Sequence, residues 1–224
     1  YEIRNCDWSS DVCSSDLAFD TPRDRRNFLA LVSHEFFHTW NVKNFRPKGL
    51  KPYDYDRENY TDLLWVAEGT TTYYDELMCV RAGVWTPAQY LESLARTIDE
   101  ETTRPGAQVQ SLEGASFDAW VKFNRPTPDS VNSTVSFYSK GALVNFLLDA
   151  SIRKDTNNAK SLDDVMRALN DGFPLHSPNA YSTADLLAII KGLTGKSYDA
   201  FFASYVSGTS PRSEEHTSEL QSQF

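Results

Sequence analysis

The chain has 224 residues, 40% of them hydrophobic and 24% charged, with 10 glycines and 10 prolines. That composition describes a globular chain long enough to bury a core, and it excludes collagen, low-complexity disorder and a coiled coil. A net charge of −9 argues against a nucleic-acid-binding surface, three cysteines cannot build a disulfide framework, and no apolar run is long enough to span a membrane.

The two ends read as something other than evolved protein. Asp7 to Leu17 spells DWSSDVCSSDL and Arg212 to Ser222 spells RSEEHTSELQS. One DNA strand encodes the second stretch, and its complement, read one base in, encodes the first letter for letter. The DNA is that of a common sequencing-library adapter, so 1–17 and 212–224 are expected to be non-native ends and 18–211 a fragment of a longer protein. Such scars are set aside in reasoning about a fold. With them go Cys13, His216 and much of the net acidity, which leaves His34, His38 and His176 as the histidines to explain.

Within the remaining chain, Thr21 followed by Pro22 opens a helix that the spacing of Phe28, Leu31, Val32, Phe36 and Trp40 carries to about Val42. Pro47 and Gly49 stop it, and a tyrosine-rich loop runs from Lys51 to Tyr60. A second helix is predicted over about Thr61 to Arg81, with Gly83 as its stop. Thr86 and Pro87 start a third, through about Glu101. Arg104 to Ser133 is polar and broken by prolines, with one short helix around Phe117 to Phe123. Phe137 to Arg153 is a strongly apolar helix, and Ser161–Asn170, Thr183–Leu193 and Tyr198–Val206 follow as amphipathic helices. No strand pair is legible. The fold class is mostly α.

The chemistry is concentrated in His34-Glu35-Phe36-Phe37-His38. Residues four apart share a helix face, so the two imidazoles project together and can hold one metal ion. Glu35 is rotated from that face by about 100° and can reach a water on the metal without becoming a ligand, which is the geometry of a general base. Imidazole nitrogens suit Zn²⁺, and a catalytic zinc requires a third protein ligand and an open position. Glu68, in the second predicted helix and flanked by Leu64 to Ala67, is the candidate; by spacing alone Glu58, Asp75 and Glu76 compete with it. Thr72 and Asp75 follow Glu68 on its helix face and could hold an imidazole N–H or be ordinary helix residues. Cys79, on an apolar helix, reads as a buried inert thiol, and His176 as a loop residue. Asn41 and Lys43 receive no chemical role.

The run HEFFHTWNVKNFRPKGLKPYDYDRENYTDLLWVAEGTTTYYDELMCVRAGV, from His34 to Val84, resembles the gluzincin metallopeptidases. Within them it is most similar to the glycyl aminopeptidase family, whose members usually carry a C-terminal PDZ domain. The likeness continues through Ser116–Trp120, Asn132–Thr134, Phe137–Gly141 and Tyr198–Gly208. The resemblance implies a helical catalytic domain of thermolysin-like, gluzincin type, here without the family's N-terminal β domain. It implies Zn²⁺ held by His34, His38 and Glu68, with Glu35 as base. Tyr138, in the text Y-x-K-G, matches the family's tyrosine that stabilises the oxyanion; from the residues alone it reads as a core tyrosine. The implied substrate is a peptide, the full-length protein is expected to include the PDZ domain, and no nucleic acid or membrane span is expected.

The expectation is therefore zinc-dependent peptide-bond hydrolysis, of aminopeptidase type. Its rivals are a zinc endopeptidase using the same site and a non-catalytic, zinc-stabilised peptide-binding module. The intact Glu35 argues against the last, since a purely structural metal site has no use for a base.

Overall fold

The computed structural model describes residues 21–209. The stretches expected to be non-native, 1–17 and 212–224, lie outside the described residues. Among the described residues ten α-helices follow one another: α1 (Pro22–Phe37), α2 (Leu64–Ala67), α3 (Gly69–Arg81), α4 (Pro87–Thr103), α5 (Leu112–Phe117), α6 (Ser130–Ser133), α7 (Ser139–Asp155), α8 (Leu162–Gly172), α9 (Thr183–Thr194) and α10 (Asp199–Tyr205). A 3₁₀ turn at Pro105–Gln108 and a π turn at Ala119–Phe123 complete the order. Among the described residues the only β pairing is two isolated bridges, Asn41 with Phe45 and Pro47 with Tyr181. No helix there is long and apolar enough to cross a membrane.

The helix starts follow from local chemistry. Thr21 and Thr86 each accept the N–H of the third helical residue, whose own side chain returns a hydrogen bond, with proline at the first helical position. Ser161 with Asp164 and Ser182 with Asp185 close the same reciprocal cap on α8 and α9. Gly195, in the left-handed conformation, ends α9.

Packing centres on α3, which lies between α1 and α7 and buries Thr70, Thr71, Tyr73, Tyr74, Asp75 and Cys79. The core spreads from there to Leu148 and Ile152 of α7, Val165 and Leu169 of α8, Ile190 of α9 and Phe202 of α10. The contact of α3 with α7 is made by two glycines. A Cβ on Gly69 would lie 2.7 Å from Gly141 Cα, and one on Gly141 would lie 2.9 Å from Gly69 Cα. The backbones therefore touch, which brings the start of α7 beside the start of α3. Gly141→Ala should lower stability by about 1–3 kcal/mol through this overpacking, read as a lower urea midpoint; an unshifted midpoint would show that the helices part without cost.

Three boundaries differ from the sequence reading. The first helix ends at Phe37 rather than near Val42, because Asn41 turns inward to complete burial and Val42 adopts φ 85°. The apolar spacing runs on through Trp40 and conceals that turn. The predicted helix from Thr61 to Arg81 is interrupted at Glu68, which separates α2 from α3. The short helix predicted around Phe117–Phe123 is instead α5 followed by the π turn, with Trp120 Nε1 donating to the Asn59 carbonyl at 3.1 Å.

Candidate metal centre

His34 lies in the last turn of α1 and His38 caps it, its N–H still bonded to the His34 carbonyl, so the helical spacing of the pair survives to the helix end. Glu68 stands at the break between α2 and α3. That break turns its carboxylate toward the two imidazoles. Nε2 of His34 and Nε2 of His38 are 3.2 Å apart, and Glu68 Oε2 lies 3.4 Å from the first and 3.2 Å from the second. A tetrahedral zinc with bonds of about 2.0–2.2 Å separates its ligand atoms by roughly 3.3–3.6 Å. The three atoms thus form the face of such a tetrahedron.

The protonation of the rings agrees with that use. His38 Nδ1 sits 3.1 Å from the Asn41 backbone carbonyl, which can only accept, so the proton is on Nδ1. His34 Nδ1 donates to Asp75 Oδ2 at 3.1 Å. With both rings neutral, as metal binding requires, each Nε2 turns a lone pair toward the Glu68 carboxylate, and the three atoms need a positive charge between them. The electrostatics express the deficit. Burial disfavours charge on His34, yet the hydrogen bonds it donates to Asp75 and Glu68 lift its pKa to about 9, so without a metal a proton takes the place between the ligand atoms. Burial likewise opposes ionised Glu68, but the two imidazoles draw its pKa down to about 2. The cluster attracts a cation, and the donor set of two nitrogens and one carboxylate oxygen suits zinc.

The remaining residues fall into place around this triangle. Side-chain exposures of 12% for His34, 14% for His38 and 21% for Glu68 leave the site sheltered but open to solvent. Glu35 is half-buried on the adjoining flank of α1, and among the described residues no hydrogen bond or ion pair occupies its carboxylate. Tyr138 is the N-cap of α7, half-buried, with its ring centroid 6.1 Å from that of His34 and the planes tilted by 30°. The glycine contact of α3 with α7 accounts for that proximity.

Of the other acidic candidates, Glu58 is exposed on its loop, and Glu76 accepts from Ser93 at 2.6 Å. Asp75 holds the His34 ring from behind instead of joining the triangle. Thr72, read as a possible partner for an imidazole, leaves its buried hydroxyl without one. Cys79 is a buried free thiol and His176 is exposed. Sequence reasoning passed over Asn41, which is fully buried against the segment leading to Glu68; its one signal was a polar residue three positions after His38 where the apolar helix pattern falters.

The sequence profile described as M61 glycyl aminopeptidase matches residues 27–144. The chain belongs to the M61 glycyl aminopeptidase family. The match to the M61 profile takes in the whole triangle, Glu35 and Tyr138. Among solved structures, the chain is similar to the crystal structure of an aminopeptidase N family protein from Idiomarina loihiensis, with 30% identity and a TM-score of 0.82. The likeness covers 93% of this chain and 35% of that one, so this M61 chain spans about a third of the length of its structural relative. Curated proteins yield no match.

Proposed function

We propose that this chain is the catalytic domain of a zinc aminopeptidase, with His34, His38 and Glu68 as metal ligands, Glu35 as general base and Tyr138 as the hydrogen-bond donor to the oxyanion. One observation carries the reading: three acceptor atoms 3.2–3.4 Å apart, two of them on imidazoles whose other nitrogens are tied down, beside a glutamate with no partner among the described residues. Family membership supports peptide chemistry, and the aminopeptidase assignment follows the family's character.

When bound, zinc supplies Lewis acidity toward a carbonyl oxygen and lowers the pKa of water. The residues of the chain do the rest. Glu35 accepts a proton from the attacking water and delivers it to the amine that leaves. Tyr138 donates its hydroxyl hydrogen to the carbonyl oxygen as negative charge grows there. Asp75 and the Asn41 carbonyl keep the two imidazoles in the tautomer that leaves Nε2 free. The residues of 18–211 constitute the native fragment on this reading, and a PDZ domain belongs to the full-length protein.

The test is metal content and turnover in the full-length protein. One equivalent of zinc is expected, and Glu68→Ala should lose most of it while remaining folded; unchanged zinc in that variant would exclude Glu68 as a ligand. Hydrolysis of a peptide with a free α-amine, abolished by N-acetylation, would identify an aminopeptidase. Equal rates on both would identify an endopeptidase, and zinc binding without turnover of either would leave a peptide-binding module.

A further inference from the structure

The interruption at Glu68 has an unusual hydrogen-bond pattern. The backbone ladder of α2 closes with Glu68 N–H on the Leu64 carbonyl, and that of α3 opens with Thr72 N–H on the Glu68 carbonyl. Between them, among the described residues, the carbonyls of Trp65, Val66 and Ala67 receive no backbone N–H. Buried carbonyls must find donors, and here the donors are side chains. Asn145 Nδ2 reaches the Trp65 carbonyl at 3.3 Å. Asn41 Nδ2 lies 2.9 Å from the Val66 carbonyl, 2.9 Å from the Ala67 carbonyl and 3.0 Å from Thr71 Oγ1. The Thr71 hydroxyl itself donates to the Ala67 carbonyl at 2.7 Å. An amide nitrogen has two hydrogens; one satisfies Val66 and the other is shared between Ala67 and Thr71.

The same residue acts on the other ligand segment. The backbone carbonyl of Asn41 accepts the Nδ1 proton of His38 at 3.1 Å and so fixes the plane of that ring. Its side chain is fully buried, and its Oδ1 has no partner. The next residue, Val42, has φ 85°, a region a β-branched side chain occupies at a cost. A buried acceptor left idle and a strained neighbour are tolerated where the surrounding structure demands them, and such strain gathers at functional sites. The demand here is the placement of one amide group against the carbonyls that precede Glu68.

We propose that Asn41 is a positioning residue for the metal centre, tying the segment that carries His38 to the segment that carries Glu68. The inference rests on the metal-centre reading given above. Asn41 touches no substrate; it acts by holding one ligand through its carbonyl and the approach to another through its amide. A residue serving the fold alone would, when removed, lower stability and leave the folded protein's metal affinity unchanged. A positioning residue lowers the affinity itself, because the three ligand atoms are no longer held together before the metal arrives.

The experiment measures zinc dissociation constants by chelator competition, and the visible spectrum after cobalt substitution, in the full-length protein. Asn41→Ala should bind zinc about 10- to 100-fold more weakly and shift the cobalt bands that report ligand geometry. Asn41→Ser, which retains one donor on a shorter side chain, should lose less and remain folded if the alanine variant does not. Asp155→Asn serves as the control for stability, since Asp155 bonds the Lys196 ammonium and the Tyr198 hydroxyl, neither on a ligand segment; it should melt earlier and bind zinc as the unaltered protein does. Unaltered affinity and an unaltered cobalt spectrum in whichever Asn41 variant folds would overturn the inference. Failure of the unaltered protein to bind one zinc would overturn the metal-centre reading, and this inference with it.

Discussion

Glu35→Gln is expected to keep one equivalent of zinc and to lose peptide hydrolysis by about 10²–10⁴-fold, the usual cost of removing a general base. The reasoning separates the two readouts. On the proposed reading the metal would be held by the Nε2 atoms of His34 and His38 and by Glu68 Oε2, which lie within 3.4 Å of one another. Glu35 supplies none of these atoms and stands about 100° around α1 from the ligand face. An amide copies the shape of its carboxylate and cannot take a proton, so the loss should fall on kcat. KM should change little, because the substrate's ground state does not depend on the basicity of the group. Near-normal turnover with zinc in place would remove Glu35 from the role. Loss of zinc together with activity would mean that the glutamate supports the site structurally.

The parts of this centre that were legible in the sequence are those fixed by short-range geometry. Helical periodicity alone puts His34 and His38 on one face, and their Nε2 atoms do come within 3.2 Å although α1 ends one residue before His38. Threonine followed by proline announced the starts of α1 and α4 correctly, because the cap bonds involve residues only three apart. Glu68 could be narrowed to a few acidic candidates but not chosen, since the choice depends on a bend. Within Leu64–Arg81 the one local weakness is Gly69, and a single glycine does not by itself end a helix. Of the side chains that satisfy the freed carbonyls, Thr71 is local, but Asn41 and Asn145 come from 27 positions before the break and 77 after it in the chain. A pattern of apolar spacing contains no record of such distant donors, so it read one continuous helix.

The end of α1 was missed for the same reason. Phe36, Phe37 and Trp40 continue the periodicity, yet burial of Asn41 against Val66 and Ala67 outweighs another helical turn. The two misreadings are therefore one event seen from its two sides: the chain leaves the helix after Phe37, and Asn41 fills the gap before Glu68. Tertiary demand overrode local propensity at the point where the two ligand segments meet, which is where a functional site is expected to depart from regular structure. Gly69 and Gly141 belong to the same assembly, because their contact sets the start of α7, and with it Tyr138, against α3.

Tyr138→Phe is expected to lower kcat about a hundredfold, which corresponds to about 3 kcal/mol of transition-state stabilisation for one donor to a developing oxyanion. The substitution isolates the hydroxyl. The ring packs with centroids 4.8 Å from Phe137, 5.5 Å from Phe123 and 6.1 Å from His34, and phenylalanine preserves all three contacts. Stability and zinc content should therefore be unchanged. KM should move much less than kcat, because a donor aimed at the carbonyl oxygen gains strength only as charge develops there. The position favours that use: Tyr138 caps α7 beside His34 and is half-buried, whereas Phe137, its neighbour in sequence, is fully in the core. Two adjacent aromatic residues thus divide the work, one packing the interior and one bordering the metal centre. A Tyr138→Phe enzyme with unaltered kcat would reassign Tyr138 to packing alone; a rise in KM with kcat retained would make it a contact for bound substrate and not for the charge that forms.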